Sequence, residues 1–276
     1  VPVRDALGGA VTAISAAGCE TPRLDAELLL AHALGVERER LLIDDLEVAG
    51  PAVRVFQDFV RRRSVQREPV AYILARRHFR RLELAVDRRA LIPRPETELL
   101  VEIGLGLPQG ARVLDVGTGS GAVALALKDE RPDLSVAGSD NSADALDLAR
   151  ENGGRLDLDV RWLHADLLAG VPDEFDMVLS NPPYVREDER SGLAPEILRH
   201  EPTSALFAGE DGLDVVRGLV DQAAEEGRVR LLAVEIGQGQ AGTVAELMRK
   251  GGFVPVRAER DLAGIERVVV GERMSS

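Results

Sequence analysis

From residue 111 onward, short apolar runs alternate with amphipathic stretches, and this rhythm restricts the fold more than any other feature of the chain. The runs "RVLDVG" (112–117), "LSVAGSD" (134–140), "DVRWLHAD" (159–166), "FDMVLSN" (175–181), "VRLLAVEIG" (229–237), "FVPVRAE" (253–259) and "IERVVVGE" (265–272) have the length and composition of strands. Helical patterning fills most of the gaps, at Ala122–Lys128, Ala143–Asn152, Leu213–Glu226 and Ala241–Arg249. Continuous apolar stretches such as "LLAV" suit strands covered on both faces. The expectation is an α/β protein whose residues 108–276 form a seven-stranded, doubly wound (Rossmann-like) sheet.

The residues before the sheet read differently. Residues 1–67 pattern as a small helical bundle, and 68–107 as a linker with a short hairpin and a helix. In "TPRLDAELLLAHALG", Thr21 is placed as a cap, Pro22 at the first helical position and Gly35 just past the end. Leu24, Leu28 and Ala31 recur at helical spacing, with Leu30 and Leu34 widening that face. A second amphipathic stretch follows Pro51, with Val53, Phe56 and Val60 as its stripe. "LELAV" alternates Leu82, Leu84 and Val86 as one arm of a hairpin, and Glu96 to Leu107 suit a helix.

Charge and cysteine usage narrow the classes. Residues 1–107 carry 16 Arg against 16 Asp/Glu, so residues 108–276 account for the whole net charge of −13. An acidic main domain disfavours stable nucleic-acid binding, which needs clustered cations. Residues 54–94 are the exception, with 12 Arg against 4 acids, and are read either as a docking face for an acidic protein partner or as a solvated helix face. Cys19 is the only cysteine, and no Cys/His cluster suggests a metal. No apolar stretch approaches membrane-spanning length and the start has no signal-like pattern, so a soluble, cytoplasmic protein without a membrane partner is expected.

Two motifs carry chemistry. "VLDVGTGSGAVALAL" ends a strand, turns through Gly117, Thr118, Gly119, Ser120 and Gly121, and enters a helix. Its D-x-G-x-G-x-G spacing puts Asp115 ahead of the glycines, where an acid suits a ligand bearing a cationic amine better than a pyrophosphate. Asp140 ends the next strand 25 positions later, where a carboxylate can accept ribose hydroxyls. Asp166 and Leu167, near the end of the third strand, can flank an adenine. Taken singly, Asp140 would serve as a helix-start carboxylate and Asp166 as a solvated turn. Their order along the sheet favours a nucleoside site.

The second motif, "SNPPYV", follows the fourth strand. Pro182 and Pro183 lack N–H groups and fix the chain, so the Pro182 carbonyl is presented rigidly beside the Asn181 amide. These two acceptors can hold both hydrogens of a planar NH2 group, on whose flat face Tyr184 can stack. Orientation of this kind can supply roughly 7–11 kcal/mol of a barrier. Glu235, ending the fifth strand, is not assigned as a base.

At these residues the chain resembles the class I S-adenosylmethionine-dependent methyltransferases, over about residues 110–272. N-P-P-Y alone leaves the acceptor open between an exocyclic adenine amine and a protein glutamine. "EPVAYILARRHF", "LIPRPETELLVE", "SNPPYV", "HEPTSALFAGEDGLDVVRGLV" and "GIERVVVG" occur in order, and that series resembles the bacterial release factor glutamine methyltransferases. The resemblance implies methyl transfer from S-adenosylmethionine, which leaves as S-adenosylhomocysteine, to the glutamine of the Gly-Gly-Gln motif of peptide chain release factors. It carries catalytic and substrate roles to Asn181, Pro182, Pro183 and Tyr184, and cofactor roles to Gly117–Gly121, Asp140 and Asn181. Arg94, Glu96 and Thr97 are placed on the substrate side, and residues 1–67 are read as recognising the protein substrate. A ribosomal-protein glutamine methyltransferase and, further off, a nucleic-acid adenine methyltransferase are the alternatives.

Overall fold

The computed structural model describes residues 1–43, 46–227 and 229–273 of the chain, which divides into two compact units. One comprises residues 1–76 with Leu193–His200, and the other Arg77–Gly192 with the residues from Glu201 onward. Residues 44–45, 228 and 274–276 of the expected segments lie outside the described residues. Among the described residues, no helix is long and apolar enough to cross a membrane.

The first unit is helical, with Val3–Ala16, Pro22–Leu34 and Pro51–Ser64 as its main elements. Ile14, Ala26, Leu29, Leu30 and Phe56 form its core. The buried face of Pro22–Leu34 is rotated from the expected stripe, because Leu24 is exposed and Leu28 only partly buried. The cause is ionic. Asp25 turns inward to accept from Arg63 Nε at 2.7 Å, and Arg63 also reaches Glu196 at 3.1 Å. Pro195–His200 is held in this unit by that contact, by Arg67 to Glu196, and by His200 Nε2 against the Gln66 carbonyl at 2.9 Å.

The same pairs bear on the charge of the arginine-rich segment. Arg63 is buried, Arg62 is held by Glu68, and only Arg61 of the triplet has a largely exposed side chain, itself paired with Asp58. In the second unit Arg80 pairs with Glu130, Arg89 with Asp87 and Glu151, and Arg94 with Glu201. Much of the local positive charge is thus neutralised internally.

The strands, in chain order, are β1 (Arg76–Phe79), β2 (Leu82–Ala85), β3 (Arg112–Val116), β4 (Ser135–Asp140), β5 (Arg161–His164), β6 (Phe175–Ser180), β7 (Val229–Glu235), β8 (Val256–Arg260) and β9 (Glu266–Glu272). The first two pair as the expected hairpin. The other seven form one sheet in the order β5-β4-β3-β6-β7-β9-β8. Pairs from β5 to β7 are parallel, while β9 is antiparallel to both β7 and β8. The last reversal follows from the connection. The turn between β8 and β9 is closed by Asp261 Oδ1, which accepts from Ala263 N and Ile265 N at 2.9 Å, and so short a link cannot make a parallel crossover.

Leu114, Val178, Leu232 and Val269 are fully buried, as strands covered on both faces require. Around Trp162 the packing depends on glycine. A Cβ at Gly121 would stand 2.9 Å from the indole and one at Gly138 would stand 2.6 Å from it.

Register then builds the site. Val116 pairs with Ser139 and with Ser180, and Ser180 pairs with Val234. The residues one step further on, Gly117, Asp140, Asn181 and Glu235, therefore share one row at the carboxyl edge. This row spans the point between β3 and β6 where strand order reverses, the usual place for a ligand in such sheets.

Candidate active site

A cavity of about 420 Å³ opens at this edge. The glycine loop forms its floor. Gly117 N and Thr118 N donate to the Ser139 carbonyl at 2.8 and 2.9 Å, tying the loop to β4. Gly117 has φ +70°, which favours glycine, and no atom lies within 4 Å of where a Cβ would stand. Gly119 and Ser120 also line the cavity. Gly121 does not; its glycine is explained by φ +84° and by Trp162 and Leu125 behind it.

Asp115 lines the cavity and is buried. Its Oδ2 accepts from Thr118 Oγ1 at 2.6 Å and from Ala124 N at 3.3 Å. Burial still pushes its pKa up to about 6, with the Asp140 charge adding to the rise. The folded state therefore holds this proton more tightly than the unfolded chain. Stability is fully present below the ordinary value of 3.8 and is lost as pH rises through about 6. Asp115→Asn is expected to raise the melting temperature at pH 8, by the equivalent of about 3 kcal/mol at most, and to change it little near pH 4. Thermal melts of both proteins across that range, without ligand, check this.

Asp140 does double duty at the loop. Its Oδ2 accepts from Gly119 N and its Oδ1 from Ser142 N, both at 2.9 Å. Ser142, not Asp140, is the helix cap, accepting from Ala145 N at 3.2 Å. Each oxygen of Asp140 thus keeps capacity for a further donor in the cavity. Asp166 and Leu167 also line the cavity; Asp166 is exposed, and Leu167 has φ +56°.

Asn181, Pro182 and Pro183 line the same cavity. Asn181 Nδ2 donates to Thr97 Oγ1 at 3.0 Å, so the amide NH2 faces Thr97 and Oδ1 is turned away from it. Tyr184 is not among the lining residues. Gly237 leaves room for its ring, since a Cβ there would lie 3.2 Å from Tyr184 Cδ2. Burial, and then the nearby Glu235, push the Tyr184 hydroxyl up to about 12. Beyond Tyr184 the chain leaves the sheet edge and returns. Val185 N donates to the Leu206 carbonyl at 2.9 Å, and Ala208 N to the Val185 carbonyl at 3.0 Å.

Arg94 and Thr97 line the cavity, and Glu96 does not. Arg94 is held by a residue the sequence reading left unassigned. Glu201 is buried, and accepts from Arg94 Nη2 at 2.5 Å and from Ile92 N at 3.1 Å. It lies 107 positions from Arg94, and its only sequence signal is its place in "HEPTSALF".

The family matches give the class, a methyltransferase domain. The methyltransferase small domain family matches residues 95–210, and the PrmC N-terminal domain family matches residues 5–74. The methyltransferase from Pyrococcus furiosus shares the fold, with a TM-score of 0.54 at 17% identity over 70% of this chain and 90% of that one. The release factor glutamine methyltransferase of Rhodospirillum rubrum is 41% identical over 268 residues, covering 95% of this chain and 82% of that protein. That of Deinococcus radiodurans is 41% identical over 278 residues, covering 98% of each. The chain belongs to the release factor glutamine methyltransferase family.

Proposed function

We propose that this protein transfers a methyl group from S-adenosylmethionine to the side-chain amide nitrogen of the Gly-Gly-Gln glutamine of peptide chain release factors, in the cytoplasm. The observation that carries the reading is one cavity holding Asn181 to Pro183 beside the glycine loop and Asp140. S-Adenosylmethionine, when bound, supplies an electrophilic methyl group on a sulfonium and leaves as S-adenosylhomocysteine. The residues present fit it: a buried carboxyl at Asp115 for its amine, open space over Gly117, and unfilled acceptor capacity at Asp140 for ribose hydroxyls. Thr118, Gly119 and Ser120 complete the floor, with Asp166 and Leu167 at the adenine end.

Asn181 Oδ1 and the Pro182 carbonyl accept the two N–H groups of the glutamine amide. An amide nitrogen is a poor nucleophile while its lone pair is delocalised; holding both hydrogens out of plane favours a lone pair aimed at the methyl, and one of the two N–H protons is released as the N–methyl bond forms. Pro183 keeps the carbonyl rigid because neither proline has a free φ. Arg94, Glu96, Thr97 and Tyr184 are assigned to the acceptor side, and residues 1–67 to recognition of the release factor. Stable nucleic-acid binding is not part of this reading.

Incubation with labelled S-adenosylmethionine and, separately, release factor, ribosomal protein and DNA tests it. Label is expected in the tryptic peptide containing Gly-Gly-Gln and is expected to vanish when that glutamine is changed to alanine. Label confined to ribosomal protein or to DNA would overturn the assignment.

A further inference from the structure

The prolines that stiffen the corner also deprive it of anchors. Pro182 and Pro183 have no N–H to bond to the protein, so their carbonyls stay where the residues on either side hold them. The entry is held by the Ser180 hydroxyl, which donates to the Val116 carbonyl at 2.8 Å, and by Asn181 Nδ2 on Thr97 Oγ1 at 3.0 Å. The exit is the peptide between Tyr184 and Val185, and it is gripped twice. Its N–H donates to the Leu206 carbonyl at 2.9 Å. Its carbonyl oxygen accepts from Gln240 Nε2 at 3.2 Å.

Gln240 stands at the start of the helix Ala241–Lys250, a place where Ser, Thr, Asp or Asn would cap better. Its side chain makes no capping bond to that helix. Oε1 accepts instead from Gly237 N at 2.8 Å, and Nε2 also reaches the Asp211 carbonyl at 3.5 Å. One neighbour donates and two accept, so a single orientation of the amide satisfies all three. The fit around it is close. A Cβ at Gly212, where φ is +74°, would stand 2.3 Å from the Tyr184 oxygen and 3.0 Å from Gln240 Nε2. One at Gly237 would stand 3.1 Å from Gln240 Oε1 and 3.2 Å from Tyr184 Cδ2. Two turns thus close on Tyr184 around one side chain, and all of these residues belong to the second unit.

We infer that Gln240 is a positioning residue for methyl transfer, which acts through the Tyr184 carbonyl to fix the exit of the corner. Gln240 does not line the cavity, so it touches neither acceptor nor methyl donor. Without its grip, the Tyr184–Val185 peptide can tilt about the bond to Leu206, and the Pro182 carbonyl and the Tyr184 ring move with it. The inference rests on the proposed transfer to a planar amide nitrogen, because that acceptor needs the carbonyl and the ring in fixed places. The two bonds of Gln240 serve different ends. The one to Gly237 belongs to the turn before the helix and supports stability, and the one to Tyr184 sets position.

Two substitutions separate these bonds. Gln240→Glu keeps the acceptor for Gly237, and its charge suits a helix start, but it sets a carboxylate against the Tyr184 and Asp211 carbonyls. Gln240→Lys loses that acceptor and keeps a donor for Tyr184. Turnover of release factor at saturating cofactor, cofactor affinity by calorimetry, and melting temperature are measured for both in the full chain. Gln240→Glu is expected to melt no lower than wild type and to lower kcat on the order of tenfold, with cofactor affinity within about threefold. Gln240→Lys is expected to melt lower and to keep kcat within about twofold of wild type. A side chain that served stability alone would leave kcat unchanged in Gln240→Glu.

Wild-type kcat in Gln240→Glu, or an equal loss of kcat in Gln240→Lys, would sink the inference. Should one variant fail to fold, the kcat of the other decides. A wild-type protein that places no label in release factor refutes the functional reading instead, and is scored before any variant.

Discussion

Asn181→Ala is expected to lower methyl transfer to release factor by roughly three orders of magnitude, the scale seen when one preorganised polar contact to a reacting group is removed. The reasoning is geometric. Asn181 supplies one of two acceptors at the corner, and Pro182 alone leaves the amide free to rotate about the remaining bond. The variant also loses the bond to Thr97 Oγ1, but not the ties that hold the glycine loop, which run from Ser139 and Asp140. Cofactor affinity should therefore fall by less than about tenfold, since the loop and Asp140 are untouched. Calorimetry for the cofactor and single-turnover labelling of the release factor separate the two effects. Equal losses in both would mean that Asn181 serves mainly the cofactor.

Gly138→Ala should destabilise the second unit by about 3 kcal/mol, the upper part of the usual range for overpacking a core. Gly138 sits in β4 opposite Asp115 on one side and Trp162 on the other. A methyl group there would stand 2.6 Å from the indole and 2.8 Å from Thr118 Oγ1. Neither neighbour can retreat easily. The indole is already close against Gly121, where an added Cβ would stand 2.9 Å from it, and the Thr118 hydroxyl is committed to Asp115 at 2.6 Å. The glycine loop must shift with Thr118, so cofactor affinity should fall as well. Gly154→Ala is the control, in a helix with nothing within 4 Å, and should gain up to about 1 kcal/mol. Denaturant unfolding of the two variants distinguishes them, and a Gly138→Ala midpoint matching wild type would refute the account.

The fold was legible because its signal is local. Each strand of the sheet was readable from a run of a few apolar residues, and the observed ends differ from the expected ones by at most two positions, except that β8 starts three residues later than expected. The helix Pro22–Leu34 shows where local reading stops. Its leucines suggest one stripe, and an arginine 38 positions away turns Asp25 inward and rotates it. The same limit applies at the site. Asp115, the glycine loop and "SNPPYV" stand out as strings, but the task of Gly121 depends on Trp162, 41 positions on. Thr97 and Glu235 join Asn181 only through strand register and a side-chain bond, which no stretch of sequence displays. Glu201 has the same character, because its partners Ile92 and Arg94 are far away along the chain.

The bonds between Val185 and residues 206 and 208 bring the two ends of the intervening excursion together just past the corner. Doubling the length of such a loop costs only about 0.6 kcal/mol of closure entropy. Residues 187–192, exposed or nearly so along this stretch, can therefore change length or charge while the row of Gly117, Asp140 and Asn181 keeps its geometry.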